Sequence, residues 1–240
     1  MTSKVFLFAH TNNIINDFET NKQINFDEIL SPTTPTELQF PVEGYGDTKI
    51  TRANSEKIDN IIEYDCEHDF KQNKVGKVFN HFFEYYFVPS SFKSYYIKND
   101  NLFIINTSTD PAIDFINKLN TQNGSNILTQ NVNFEKLLKK LENVNGIWIS
   151  DIKTQNLSAS GLFGDQVDQS TEFDRIKEKG KISYITFTIE NMYHRSLSVG
   201  VTQNSAIIIS NKLDKPGDGI EVAKKIFDTL LKDIVKFENR

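Results

Sequence analysis

Hydrophobic and polar residues along this chain follow two periods, and both are clearest after residue 90. Residues 181–190 alternate, with Ile182, Tyr184, Ile185, Phe187 and Ile189 among polar neighbours, which predicts a strand. Residues 94–97 and 102–106 flank Lys98-Asn99-Asp100-Asn101, and β-formers on either side of an Asn/Asp turn predict a hairpin. Residues 197–201 and 206–210 flank Thr202-Gln203-Asn204-Ser205 and predict a second. A further strand is expected over residues 146–151, and a short one over residues 4–10.

Helical spacing appears in four places. Asp110-Pro111 supplies an N-cap followed by proline in the first turn, with Ile113, Ile116 and Leu119 as the apolar stripe. Asn131 or Asn133 caps a helix with Phe134, Leu137, Leu138 and Leu141 on one face, and Ser170 caps one through Phe173 and Ile176 that Gly180 stops. Asp218 opens the clearest helix, running to residue 236, with Ala223, Ile226, Phe227, Leu230, Leu231, Ile234 and Val235 on one face.

The N-terminal third is less regular. Residues 26–40 carry Pro32 and Pro35 and are followed by Pro41, which excludes a long helix. Residues 54–65 fit a helix capped by Asn54 or a strand over 58–64, and the aromatic run 78–88 is read as a helix ending in an extended segment at Pro89. These patterns predict an α+β fold. An antiparallel sheet built from hairpins, with helices covering one face, occupies residues 90–240, after an irregular region of mixed strands and helix over residues 1–89. Two units of hairpin followed by helix, 94–120 and 197–236, recur without residue-level similarity.

Composition narrows the class. The chain has 240 residues, 38% hydrophobic and 25% charged, and a net charge of −5, which suits an ordinary globular protein and does not favour nucleic acid or an anionic surface as a partner. A single cysteine points to a reducing compartment. No export signal is read at the N-terminus, and no stretch approaches the ~18 apolar residues of a membrane span. A soluble, cytoplasmic protein with no membrane partner is expected.

Candidate chemistry is concentrated in Glu63-Tyr64-Asp65-Cys66-Glu67-His68-Asp69-Phe70. On a strand its acids share one face and Cys66 and His68 the other; on a helix Tyr64 stacks with His68. The first reading is an acidic, solvated edge with Cys66 buried as a small apolar group. The alternative is a divalent-metal site of a hydrolase or nuclease, using Asp65, Glu67, His68 and Asp69 and completed by His81 and Glu84. No H-E-x-x-H, C-x-x-C, G-x-S-x-G, Walker or dinucleotide spacing is present, so no cofactor or catalytic residue is assigned.

Leu162 and Phe163, on an otherwise polar loop, either tuck into the core or anchor a partner. His194 and Arg195 are candidate contacts for an anion, and with Arg175, Lys177, Lys179 and Lys181 they form the basis of a nucleic-acid-binding alternative. The leading expectation is a non-enzymatic binding or regulatory protein acting through protein contacts, including contact with itself as a homodimer.

Overall fold

Pairing of alternating segments organises the chain. The computed structural model describes residues 3–11, 48–53, 60–78, 81–123, 125–154, 156–192, 195–211, 213 and 218–237, and the proline-rich stretch 26–41 lies outside them. The strands are β1 (Lys4–Thr11), β2 (Thr48–Arg52), β3 (Ile61–Gln72), β4 (Gly76–Val78), β5 (His81–Phe83), β6 (Tyr86–Ile97) and β7 (Leu102–Asn106). Helix α1 (Thr109–Asn123), strand β8 (Ile127–Val132), helix α2 (Phe134–Leu138) and strands β9 (Val144–Ser150) and β10 (Ser160–Phe163) follow. The chain continues through α3 (Thr171–Lys177), β11 (Lys181–Met192), β12 (Arg195–Thr202), β13 (Ala206–Ile209), α4 (Asp218–Ile226) and β14 (Val235–Phe237). The protein is mostly antiparallel sheet with few helices.

Two compact units divide the residues: Met1–His10, Ile104–Thr109 and Leu128–Arg240 form one, and Thr11–Phe103 with Asp110–Ile127 the other. In the first, strand order runs β10-β9-β11-β12-β13-β1, with β8 on β1 and β14 on β8. Val199, Val201, Ile207, Ile209, Phe6 and Phe8 are buried along this sheet, and Phe227 stacks on Phe8 at 4.5 Å between ring centroids. β1 buries Phe6, Leu7, Phe8 and Ala9 in succession, so both of its faces are covered.

In the second unit β2, β3 and β6 pair antiparallel, and α1 packs on them through Phe115, whose ring meets Phe92 at 5.1 Å. The expected α1 stripe keeps Ile116 and Leu119 buried and widens to Ala112 and Phe115, while Ile113 is half-buried. The 3-10 turn Lys98–Asp100 joins β6 to β7, with Asn101 at φ 48°, a conformation asparagine tolerates better than most residues.

Two of the expected helix caps are in place, whereas α1 opens at Thr109, so that Asp110 lies inside its first turn and not at its cap. The Asn133 side chain accepts from the Lys136 amide at 3.1 Å and Ser170 from the Phe173 amide at 3.2 Å. Two further expectations need correction. The aromatic run 78–88 is not a helix: its described residues lie in β4, β5 and β6 or in the turn at Glu84 and Tyr85, and Val88 pairs with Phe70 and Phe87 with Lys71. A continuous aromatic run has no visible period, and cross-strand pairing of aromatic side chains decides it. The helix expected to reach residue 236 stops at Ile226, passes through a π turn over Phe227–Leu231 and ends before β14, where Val235 pairs with Val132. The Lys232 amide donates to the Phe227 carbonyl at 2.9 Å across the wide turn, which rotates the apolar stripe away from plain helical spacing.

Candidate functional site

Residues 63–70 lie within β3, and their alternation is that of a half-buried strand. Ile62, Tyr64, Cys66 and His68 are buried, and Asp65 and Glu67 are exposed on the opposite face. Neighbouring strands place lysines beside the acids: Lys93 on β6 bonds Glu63 and lies 3.9 Å from Asp65, and Lys49 on β2 lies 3.8 Å from Glu67. Its hydrogen bond to Glu63 holds the Lys93 ammonium above its usual pKa. Such exposed pairs are worth about 0–1 kcal/mol each, so they neutralise the edge more than they stabilise it. The sequence gives no local hint of these partners, because the pairing strands lie about twenty to thirty residues away.

His68 faces inward. Its Nδ1 lies 2.9 Å from the Thr48 hydroxyl and its Nε2 lies 3.1 Å from Asp114 Oδ2 on α1. Its ring meets the Phe115 ring edge-on at 5.7 Å. An ionised carboxylate only accepts, so Nε2–H donates to Asp114, and Nδ1 shares its hydrogen bond with the Thr48 hydroxyl. Hydroxyl, imidazole and carboxylate thus stand in the order of a nucleophile relay. Thr48 is 1% exposed, however, which leaves a substrate no approach to its oxygen. The array ties β2, β3 and α1 together.

Strand geometry therefore separates Asp65 and Glu67 from His68. His81 lies on β5 and exposed Glu84 just after it, on the hairpin beyond the last β2–β3 pair. Among the described residues no three His, Cys, Asp or Glu side chains converge to hold a metal ion.

Cys66 donates to the Ser94 hydroxyl at 3.3 Å, and burial pushes its thiol up to about 12 from 9.0. A thiol so placed is a poor nucleophile at neutral pH. Iodoacetamide at pH 8 is expected to leave Cys66 unmodified in the folded protein and to alkylate it once denaturant unfolds the chain. Because the folded pKa is the higher one, the contribution to stability is complete below about pH 9 and is lost as pH rises toward 12. Mass spectrometry across a denaturant series reads the alkylation directly.

Leu162 and Phe163 occupy β10, the terminal strand of its sheet, and they part company. Leu162 is half-buried on the face of Ile147 and Ile149, whereas Phe163 is 67% exposed on the other face. The Phe163 ring stands perpendicular to Trp148 at 4.6 Å, and Trp148 meets Tyr184 at 4.9 Å. These rings lie over glycines: a Cβ on Gly161 would meet Phe163 at 2.9 Å, and one on Gly200 would collide with Tyr184. The Gly164 amide donates to the Asn145 carbonyl at 3.0 Å. With the β9–β10 register, that bond turns the backbone groups of Ser160 and Leu162 toward β9 and those of Gly161 and Phe163 toward the open edge.

Arg195 opens β12, paired with Met192, and His194 lies outside the described residues. Three of the four basic residues near α3 are matched by acids: Arg175 with Glu172 at 2.8 Å, Lys177 with Asp174, and Lys181 with Asp151 at 3.9 Å. A groove of about 360 Å³ opens beside the π turn, where Leu230 and Thr229 face Phe187, Glu190 and Glu142. No helix among the described residues is long and apolar enough to cross a membrane. No protein-family model matches the chain, and no curated protein is similar to it.

Proposed function

We propose that the chain is a non-enzymatic binding protein that works in the cytosol through protein contacts, and that one of these is with a second copy of itself along β10. The observation that carries this reading is the Phe163 side chain, 67% exposed on a terminal strand beside the outward backbone groups of Gly161 and Phe163. Unpaired strand edges template the addition of another strand.

The edge is self-complementary. Antiparallel pairing of two β10 strands about Leu162 sets each Phe163 opposite Gly161 of the other copy, so that the two Phe163 rings, each lying over its own Gly161, come onto the same face. Phe163, Trp148 and Tyr184 then form a continuous aromatic face across the twofold. In this reading the helices cover one face of the sheet and leave the aromatic face open to partners.

Light scattering over a range of concentrations tests it. Wild type is expected to move from 27.6 kDa toward twice that mass. Phe163→Lys, which puts a charge on the edge, is expected to stay at the monomer mass with an unchanged far-ultraviolet spectrum. A wild type that stays monomeric at every concentration, or a dimer that Phe163→Lys leaves intact, contradicts the proposal.

A further inference from the structure

Among the described residues the β2–β3 pairs run from Arg52 opposite Tyr64 to Thr48 opposite His68, and β3 and β6 stay paired further, through Asp69–Pro89, Phe70–Val88, Lys71–Phe87 and Gln72–Tyr86. Under α1 the inward face holds His68 and Phe92 against Phe115. Further out, the same face continues as Phe70, Tyr86 and Val88, with Tyr86 and Val88 exposed. Beyond them come Val75 at 76% and Phe82 at 70% exposure, beside and within the β4–β5 hairpin. Of the six large apolar side chains exposed among the described residues, these are four. Scattered single exposures are ordinary, whereas a cluster at one end of a ribbon marks a contact surface.

We propose that this end of the ribbon is a membrane-contact element that seats its apolar side chains in an anionic lipid surface. Charge selects the occupant. Between Phe70 and Phe83 the sequence carries Lys71, Lys74 and Lys77 and no acid, although the whole chain has a net charge of −5. Charges more than about 10 Å away are screened at physiological salt, so the tip meets its partner through these lysines together with the flanking Asp69 and Glu84, which leave it a small local excess of positive charge. Lys74 is exposed, and the Lys71 ammonium lies 3.9 Å from the Tyr85 ring centre. Lysine beside tyrosine is the pairing that suits the headgroup layer, with apolar side chains below it. A nucleic acid would satisfy the lysines and could stack on Phe82 and Tyr86, but it would leave the aliphatic Val75 and Val88 in water. A lipid surface accepts aliphatic and aromatic side chains alike and needs no broad complementary face. The inference is independent of the β10 edge.

Vesicle flotation of the full chain tests it, with phosphatidylcholine alone and with phosphatidylcholine containing phosphatidylserine. Wild type is expected to float with the anionic vesicles, to stay behind with the neutral ones, and to lose binding as salt rises. Removing Lys71 and Lys74 as Lys71→Gln/Lys74→Gln is expected to lower the partition constant about thirtyfold. Val75→Ser/Phe82→Ser is expected to abolish flotation, and both pairs are exposed, so the fold is retained. Absence of wild-type flotation with anionic vesicles overturns the proposal, as does flotation that neither double variant weakens. Binding of single-stranded RNA through the same lysines without vesicle binding also overturns it, in favour of a nucleic-acid surface.

Discussion

Replacing His68 with alanine is expected to lower the free energy of unfolding by about 3–5 kcal/mol. Two losses combine. The imidazole is 2% exposed and fills space against Phe115, so its removal leaves a cavity. It also orphans the Thr48 hydroxyl, itself 1% exposed, and a buried polar group without a partner costs about 1–3 kcal/mol. Asp114 on the far side is partly exposed, so water can replace the lost bond there. The neighbouring acids supply the contrast: Asp65→Asn and Glu67→Gln lie on the solvent face and are expected to change stability by no more than about 0.5 kcal/mol. Urea denaturation of the three variants at neutral pH checks this. Equal small losses at all three positions would mean that His68 is not held between β2 and α1.

A second large effect is expected at Leu231. It is fully buried at the end of the π turn, and Leu231→Ala is expected to cost about 2–5 kcal/mol. Plain helical spacing would bury Leu230 and Leu231 together. The π turn distinguishes them: Leu230 is half-buried at the groove wall, and its carbonyl accepts from Lys140 at 3.3 Å. Leu230→Ala is accordingly expected to cost about half as much or less, and Lys232→Ala, at an exposed position, to change little. Chemical denaturation orders the three, and a Leu230 loss equal to that of Leu231 would indicate a continuous helix in place of the π turn.

The parts of the fold legible in the sequence are those whose determinants are local. Alternation over residues 181–190, the Asn-rich turn before β7, the caps Asn133 and Ser170 and the amphipathic start of α4 all depend on residues within a few positions of each other. The aromatic run 78–88 was misleading because its side chains pair across the ribbon, with Val88 opposite Phe70. No window along one strand contains that information. The far end of α4 was misleading for a similar reason: Val235 answers to Val132 on β8 rather than to the turn before it.

The candidate sites show the same limit. A strand through residues 63–70 already separates the acids from His68, and that much is visible in the period. The partners that give each side its role, Lys49, Lys93, Thr48 and Asp114, come from other segments, and Phe115 falls one position outside the stripe that spacing suggests. Leu162 and Phe163 could be singled out as apolar residues on a polar stretch. Which of them faces solvent depends on the register of β10 against β9, which only the pairing supplies.

Hydrogen exchange at the Gly161 and Phe163 amides tests the central claim most directly. Both N–H groups point to the open edge of β10, while those of Ser160 and Leu162 point to β9. If two copies pair along this edge, the Gly161 and Phe163 amides should become protected as protein concentration rises, with Ser160 and Leu162 protected throughout, and Phe163→Lys should abolish the concentration dependence. Fast exchange at Gly161 and Phe163 at every concentration would contradict pairing of the chain with itself through this strand.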